Sequence, residues 1–146
     1  MTTIDQQEIE KFSKMADEWW DEKGKFAPLH KFNPTRISFF RSQICQYFAL
    51  DEKLLTPLEN LQILDIGCGG GLISEPIAKM GGKITAIDAS NKNIEIAKIH
   101  AKKSNLNIDY QCTTAEDLQQ QNLQYDVVLD LSFKSCMLSL CCSRAK

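Results

Sequence analysis

The chain has 146 residues, a net charge of −2, and 43% hydrophobic and 25% charged residues. These values are typical of one soluble globular domain, since a domain commonly spans about 100 to 200 residues. Lys and Arg are spread along the chain, which argues against a nucleic-acid partner. The sequence has neither a basic-then-apolar leader nor an apolar run of about 18 residues, and this pattern predicts a cytoplasmic protein.

The six cysteines do not form a recognisable framework. Three are scattered and three lie among the last eleven residues, with no pair of C-x-x-C motifs. This spacing predicts reduced thiols and no metal site.

Residues 1–60 are predicted to form a helical segment with two amphipathic helices. Between residues 5 and 22, apolar residues repeat at spacings of three and four, which lines one face of a helix: Ile9, Phe12, Ala16 and Trp19. Trp20 broadens this stripe, and we expect the tryptophan pair to belong to the core. A second helix is expected from Asn33, a suitable N-cap before Pro34, to about Leu50.

Beyond residue 60 the pattern changes to alternating strands and helices, and residues 61–129 are predicted to form an α/β domain. Short apolar or β-branched runs indicate four strands, at residues 61–66, 83–88, 108–112 and 125–129. Helices are predicted at residues 72–80 and 91–103. Strands that alternate with helices imply a parallel sheet with right-handed crossovers.

The stretch LDIGCGGGL, Leu64 to Leu72, is the predicted turn from the first strand into the first helix. Such a turn lies at the carboxyl edge of the sheet, where open α/β sheets bind ligands, and the next helix offers free N–H groups. A dinucleotide fingerprint would require glycine at position 72. The actual pattern, Gly67, Gly69 and Gly71 after Asp65, resembles motif I of the class I S-adenosylmethionine-dependent methyltransferases. A glycine-rich turn without a ligand is the alternative.

Asp88 ends the second predicted strand, 21 residues after Gly67. A carboxylate there can accept hydrogen bonds from both hydroxyls of a ribose. NAD would satisfy the same test, and a helix-capping role is the alternative. The segment TTAEDL follows the third strand, where this methyltransferase class has its adenine-side loop.

The segments KMADEWWDEKGKFAPLHKFNPTRISF, AIDAS and YDVV make the resemblance more specific. Together with the glycine turn, they resemble the ubiquinone-biosynthesis O-methyltransferase family, which methylates hydroxyls of polyprenyl phenols and catechols. The resemblance implies a Rossmann-like class I fold with S-adenosylmethionine as cofactor, and Arg36 as a ligand of its methionyl carboxylate. It also allows contact with the inner membrane through the lipid-tailed substrate. We expect ordinary surface or packing roles, rather than catalysis, for His30 and His100.

The segment after YDVV departs from this family. The family continues with acidic and histidine residues that line the active site, whereas this chain reads LDLSFKSCMLSLCCSRAK. Residues 130–146 are therefore interpreted as an aberrant tail, and the chain as the N-terminal half of the fold, weakly active or inactive. Leu131 falls at a further cofactor contact of the family, and no catalytic base is assigned. The fourth strand is expected to be an exposed apolar edge.

Two other functions stay open at this point. A noncatalytic S-adenosylmethionine-binding remnant or an unstable fragment would fit the tail. A small NAD-binding oxidoreductase module would fit the predicted sheet and Asp88. The sequence leaves the oligomeric state undetermined.

Overall fold

The computed structural model describes residues 6–130 and 137–140. Within these ranges the helices and strands, in chain order, are α1 (Gln6–Trp19), α2 (Ala27–Tyr47), β1 (Gln62–Ile66), α3 (Ser74–Lys79), β2 (Lys83–Asp88), α4 (Asn91–Lys103), β3 (Asp109–Cys112), α5 (Ala115–Gln119), β4 (Val127–Asp130) and β5 (Met137–Leu140). None of the described helices is both long and apolar enough to cross a membrane.

The strands form one sheet in the order β3-β2-β1-β4-β5. Strands β1 to β4 are parallel to one another, as the alternation of strands and helices predicts. The register brings Ile66 of β1 beside both Ile87 of β2 and Asp130 of β4. The carboxyl ends of the three central strands therefore meet at one edge, and the fold is a Rossmann-like α/β sheet of the predicted class.

The core lies on both faces of the sheet because successive strand residues point to opposite sides. Ile63 belongs to the larger cluster, which also holds Phe40 of α2 and Ala97 of α4. Its neighbour Leu64 belongs to a smaller cluster on the other face, with Leu118 of α5. The helices are thus fixed by burial against the sheet, and α2 and α4 share one face.

The predicted start of the second helix is wrong. The helix begins at Ala27, and Pro28 lies in its first turn. Proline is tolerated there because the N–H groups of the first turn have no partner within the helix. Pro34 lies inside the helix, and Asn33 is not the N-cap. The Asn33 side chain instead donates a hydrogen bond of 2.8 Å to the backbone carbonyl of Leu72, in the glycine turn.

The predicted exposed edge at the fourth strand is also wrong. β5 pairs antiparallel with β4, with Val127 opposite Leu140, so the outer backbone groups of β4 are hydrogen-bonded. The sequence did not predict β5, because a strand of four residues has little periodicity and the segment around it shows no alternation of strands and helices. β4 also extends through Asp130, the first residue of the predicted tail.

Candidate functional site

The turn after β1 has a left-handed backbone at three positions, which glycine adopts with little strain. The angle φ is 72° at Gly67, 55° at Gly69 and 92° at Gly71. Tyr110 of β3 fills the space beside the last of these, because a Cβ on Gly71 would stand 2.5 Å from its Oη. The G-x-G-x-G pattern therefore matches the backbone geometry of a turn that packs closely on its neighbours.

Most amide groups of this turn are directed into the protein. Four of them have acceptors. The amides of Gly67 and Cys68 donate to the Ile87 carbonyl, at 2.8 and 3.0 Å. The Gly71 amide donates to the Cys68 carbonyl at 3.0 Å, and the Gly69 amide donates to the Asp88 carboxylate at 3.0 Å. These four amides are therefore already bonded within the protein, whereas the free N–H groups predicted from the sequence belong to the helix that follows. The turn is poorly suited to cradle a phosphate, which requires free backbone donors.

Asp88 lies at the carboxyl end of β2 and is fixed by backbone groups on both sides. Its Oδ2 accepts from the Gly69 amide at 3.0 Å, and its Oδ1 accepts from the Ser90 amide at 2.8 Å. The Asn93 side chain makes a longer contact of 3.5 Å with Oδ1. The carboxylate lines a cleft of about 390 Å³ that also includes Gly67. Asp88 thus has a local structural role and also faces a ligand-sized space.

Arg36 of α2 lines a second, smaller cleft of about 180 Å³, whose walls include Gly67, Cys68 and Gly69 of the glycine turn. Gly67 borders both clefts. Among the residues that the structure describes, none hydrogen-bonds to the Arg36 guanidinium or forms an ion pair with it. Asp88 and Arg36 therefore line two different clefts that share Gly67. Leu131 lies outside the described residues.

Asp65, the residue before the end of β1, is a buried carboxyl beneath the turn. It is 0% exposed, and its Oδ2 accepts a hydrogen bond of 2.5 Å from Ser74. Its Oδ1 has no partner among the described residues. Burial raises the pKa of Asp65 to about 7, against the opposing effect of the Ser74 hydrogen bond, and the nearby Asp130 and Asp88 raise it further. Three carboxyl groups therefore share this edge of the sheet.

The two tryptophans cover the glycine turn, a role that sequence reasoning missed. A Cβ built on Gly70 would lie 2.8 Å from the Trp19 ring, and the Trp20 Nε1–H donates to the Gly70 carbonyl at 3.2 Å. Both tryptophans are half-buried. His30 bonds to the Trp19 carbonyl at 2.8 Å, and His100 stacks on Trp20, so the predicted packing roles of both histidines are confirmed.

Curated relatives share much of this sequence. Ubiquinone biosynthesis O-methyltransferases of Bartonella tribocorum and Brucella ovis are 51% and 54% identical to it over 130 residues, which is 89% of this chain. These residues cover 53% and 52% of the two relatives, so the chain spans about half the length of the curated relatives it matches.

Two solved structures share the fold. The magnesium protoporphyrin IX methyltransferase of Synechocystis PCC 6803, with bound S-adenosylmethionine, has a TM-score of 0.60 and 19% identity over 82% of this chain and 55% of that one. An S-adenosylmethionine-dependent methyltransferase of Agrobacterium tumefaciens has a TM-score of 0.52 and 22% identity over 67% of this chain and 30% of that one. The sequence model of a family described as "Methyltransferase domain" matches residues 63–139, which is more than half of the chain. The chain therefore belongs to the methyltransferase domain family.

Proposed function

We propose that this chain binds S-adenosylmethionine and forms the cofactor-binding part of an O-methyltransferase of ubiquinone biosynthesis. The observation that carries the proposal is the pair of clefts that meet at Gly67, with Asp88 in one and Arg36 in the other. A nucleoside joined to an amino acid carries a diol on its ribose and a carboxylate on its amino-acid part. These are the groups that an aspartate and an arginine recognise.

The Asp88 side of the site fits an unmodified ribose. Each carboxylate oxygen has about two acceptor positions, and the backbone amides of Gly69 and Ser90 each occupy one of them. The second position on Oδ1 is held only by the long 3.5 Å contact with Asn93. Asp88 can therefore accept one ribose hydroxyl on each oxygen while it stays fixed by the backbone.

The Arg36 side fits a carboxylate. The guanidinium lines its cleft without a counter-ion from the described residues, and a half-buried arginine gains most from a forked pair of hydrogen bonds to a carboxylate. Asn33, in the same cleft, is held by its bond to the Leu72 carbonyl. The methionyl carboxylate would supply the missing anion.

The same site is poorly suited to a dinucleotide. A pyrophosphate needs free amide donors, but four amides of the turn are already bonded within the protein. The carboxylates of Asp88 and Asp130, which line the larger cleft, would repel two phosphate charges and favour a cationic sulfonium. Leu72, only 7% exposed, stands where a dinucleotide fingerprint has its third glycine. These features favour S-adenosylmethionine over NAD.

When bound, S-adenosylmethionine supplies an electrophilic methyl group on its sulfonium sulfur. The residues described here would hold the two ends of the cofactor, and Trp19 and Trp20 would shield the turn from water. We further propose a polyprenyl phenol or catechol as the acceptor, reached at the membrane that holds its lipid tail. This part of the proposal is supported by the identity to the named relatives.

A methyl-transfer assay tests the proposal. Labelled S-adenosylmethionine and a short-chain prenyl catechol are supplied to this chain and to a chain that carries the C-terminal half of a relative. We expect transfer by the joined chain and little or none by the 146 residues alone, because an acceptor that is not held against the methyl forfeits a proximity effect of about 7 to 11 kcal/mol. No transfer by the joined chain would contradict the proposed function, and equal turnover would show that the 146 residues suffice.

A further inference from the structure

Three side chains connect Gly70 and Gly71, two neighbouring residues of the glycine turn. The Trp20 Nε1–H donates to the Gly70 carbonyl at 3.2 Å. The Trp20 ring stacks on His100 with a centroid distance of 3.8 Å and an interplanar angle of 3°. The Nδ1 of His100 lies 2.5 Å from Oε2 of Glu75, whose own amide donates to the Gly71 carbonyl at 3.1 Å. We call Trp20, His100 and Glu75 the brace.

The link between Glu75 and His100 is the buried end of the brace. Glu75 is 0% exposed, and its Oε1 has no hydrogen-bond partner among the described residues. The His100 Nδ1 and the Glu75 carboxyl group share this hydrogen bond, and the tautomer of His100 sets which of the two donates. A buried carboxylate is costly unless it is paired, so Glu75 holds the imidazole in place. The orientation of the His100 ring then fixes the stacked indole of Trp20.

The brace gathers three helices around a turn that lacks side chains of its own. Trp20 follows the last residue of α1, Glu75 lies in the first turn of α3, and His100 lies in the last turn of α4. Glycine-rich backbone loses more conformational freedom on ordering than any other, so external contacts must hold it. A hydrogen bond to the Gly70 carbonyl acts at the middle of the turn.

We propose that Trp20, His100 and Glu75 are positioning residues for the cofactor site. They hold the Gly70 carbonyl, and through it the backbone of residues 67–71, in the shape that lines both clefts. The effect on the turn follows from contacts within the protein alone. The effect on cofactor affinity rests on the proposed function.

Hydrogen exchange of the ligand-free chain tests the effect on the turn. Trp20→Phe keeps an aromatic ring on His100 but removes the N–H donor. We expect the amides of Gly69 and Gly71 to exchange about tenfold faster, the change that corresponds to one lost hydrogen bond, while the β1 and β2 amides keep their rates. Lys103→Gln is the matched control, because it removes another contact between α1 and α4, the 3.2 Å ion pair of Lys103 with Asp17, and leaves the brace intact. Unchanged exchange in the turn, or equal acceleration throughout the sheet, would overturn the proposal.

A second variant covers the case in which Trp20→Phe does not fold. His100→Gln can still hydrogen-bond to Glu75 but offers no flat ring to Trp20, and His100 is partly exposed, so the replacement is accommodated. We expect the same acceleration confined to the turn. Protection of the turn equal to that of the parent chain would contradict the role of the stack.

Calorimetric titration with S-adenosylhomocysteine tests the link to the cofactor. We expect Trp20→Phe to weaken binding about tenfold at a temperature where urea unfolding shows the variant fully folded, and Lys103→Gln to bind as the parent does. If the parent chain binds no S-adenosylhomocysteine, the proposed function fails, and hydrogen exchange still decides whether the brace holds the turn. If parent and Trp20→Phe bind equally well, the brace does not position the cofactor site.

Discussion

Replacing Gly71 with alanine would place a methyl group where Tyr110 already lies. The Cβ would stand 2.5 Å from Oη of Tyr110 and 3.4 Å from its Cζ, on a residue whose φ is +92°. Tyr110 is 5% exposed, and its hydroxyl has no hydrogen-bond partner among the described residues. The substitution therefore combines backbone strain with a steric overlap, and the two can be separated.

The backbone strain is the same whether residue 110 is Tyr or Phe, whereas the steric overlap is present only with Tyr110. A left-handed backbone costs a residue with a Cβ about 1 to 2 kcal/mol, and overpacking in a core costs about 1 to 3 kcal/mol, so Gly71→Ala should lower the free energy of unfolding by about 2 to 5 kcal/mol. Tyr110→Phe removes the overlapping oxygen and leaves the 3.4 Å contact with Cζ, an ordinary distance. In that background only the strain of about 1 to 2 kcal/mol should remain.

Urea unfolding of the parent, the two single variants and the double variant measures this coupling. Tyr110→Phe alone should be nearly neutral, because the lost hydroxyl has no partner among the described residues. Gly24→Ala is the control: its φ lies outside the left-handed region, and the nearest atom to its Cβ is a movable carboxylate oxygen of Asp21 at 3.0 Å. An equal cost of Gly71→Ala in both backgrounds, or no cost at all, would refute the reasoning.

Three further predictions concern charge. Asp88→Asn should weaken S-adenosylhomocysteine binding by about 1 to 3 kcal/mol in calorimetry. Asp51→Asn is the control and should leave binding unchanged, since Asp51, like Asp88, accepts a hydrogen bond from the amide two residues ahead. Arg36→Met should weaken binding by a similar amount, about 1 to 3 kcal/mol, with the exposed Lys31→Met as control on the same helix. Burial raises the pKa of Asp65 to about 7. Between pH ~4 and ~7 the folded chain therefore keeps a proton on Asp65 that the unfolded chain loses. The free energy of unfolding should consequently fall as the pH rises through this range. Asp65→Asn should reduce that slope in urea unfolding at a series of pH values, and an unchanged slope would contradict the assignment.

The sequence predicted the features of this fold that depend on local periodicity. Alternating apolar runs located β1 to β4, and the glycine spacing located the turn, because strand and turn preferences are set within a few residues. The beginning of α2 was mistaken because two prolines compete as start signals and only Pro28 lies in the first turn. The strand β5 was missed because four residues carry little periodicity of their own.

The brace could not be predicted, because its contacts join residues that are distant in the sequence. Trp20 and Gly70 are 50 positions apart, and Glu75 and His100 are 25 apart. A tryptophan at the end of an amphipathic helix and a histidine on an amphipathic helix each predict ordinary packing. Only the folded chain shows that this packing is directed at the glycine turn.

The most direct test of the account is a calorimetric titration of the parent chain with S-adenosylhomocysteine, alone and in the presence of NAD. The two clefts that meet at Gly67 predict binding with one ligand per chain, undiminished by NAD, because the amides of the turn leave no cradle for a pyrophosphate. Displacement of S-adenosylhomocysteine by NAD, or no binding of S-adenosylhomocysteine to the folded chain, would contradict the central claim that Asp88 and Arg36 form an S-adenosylmethionine site.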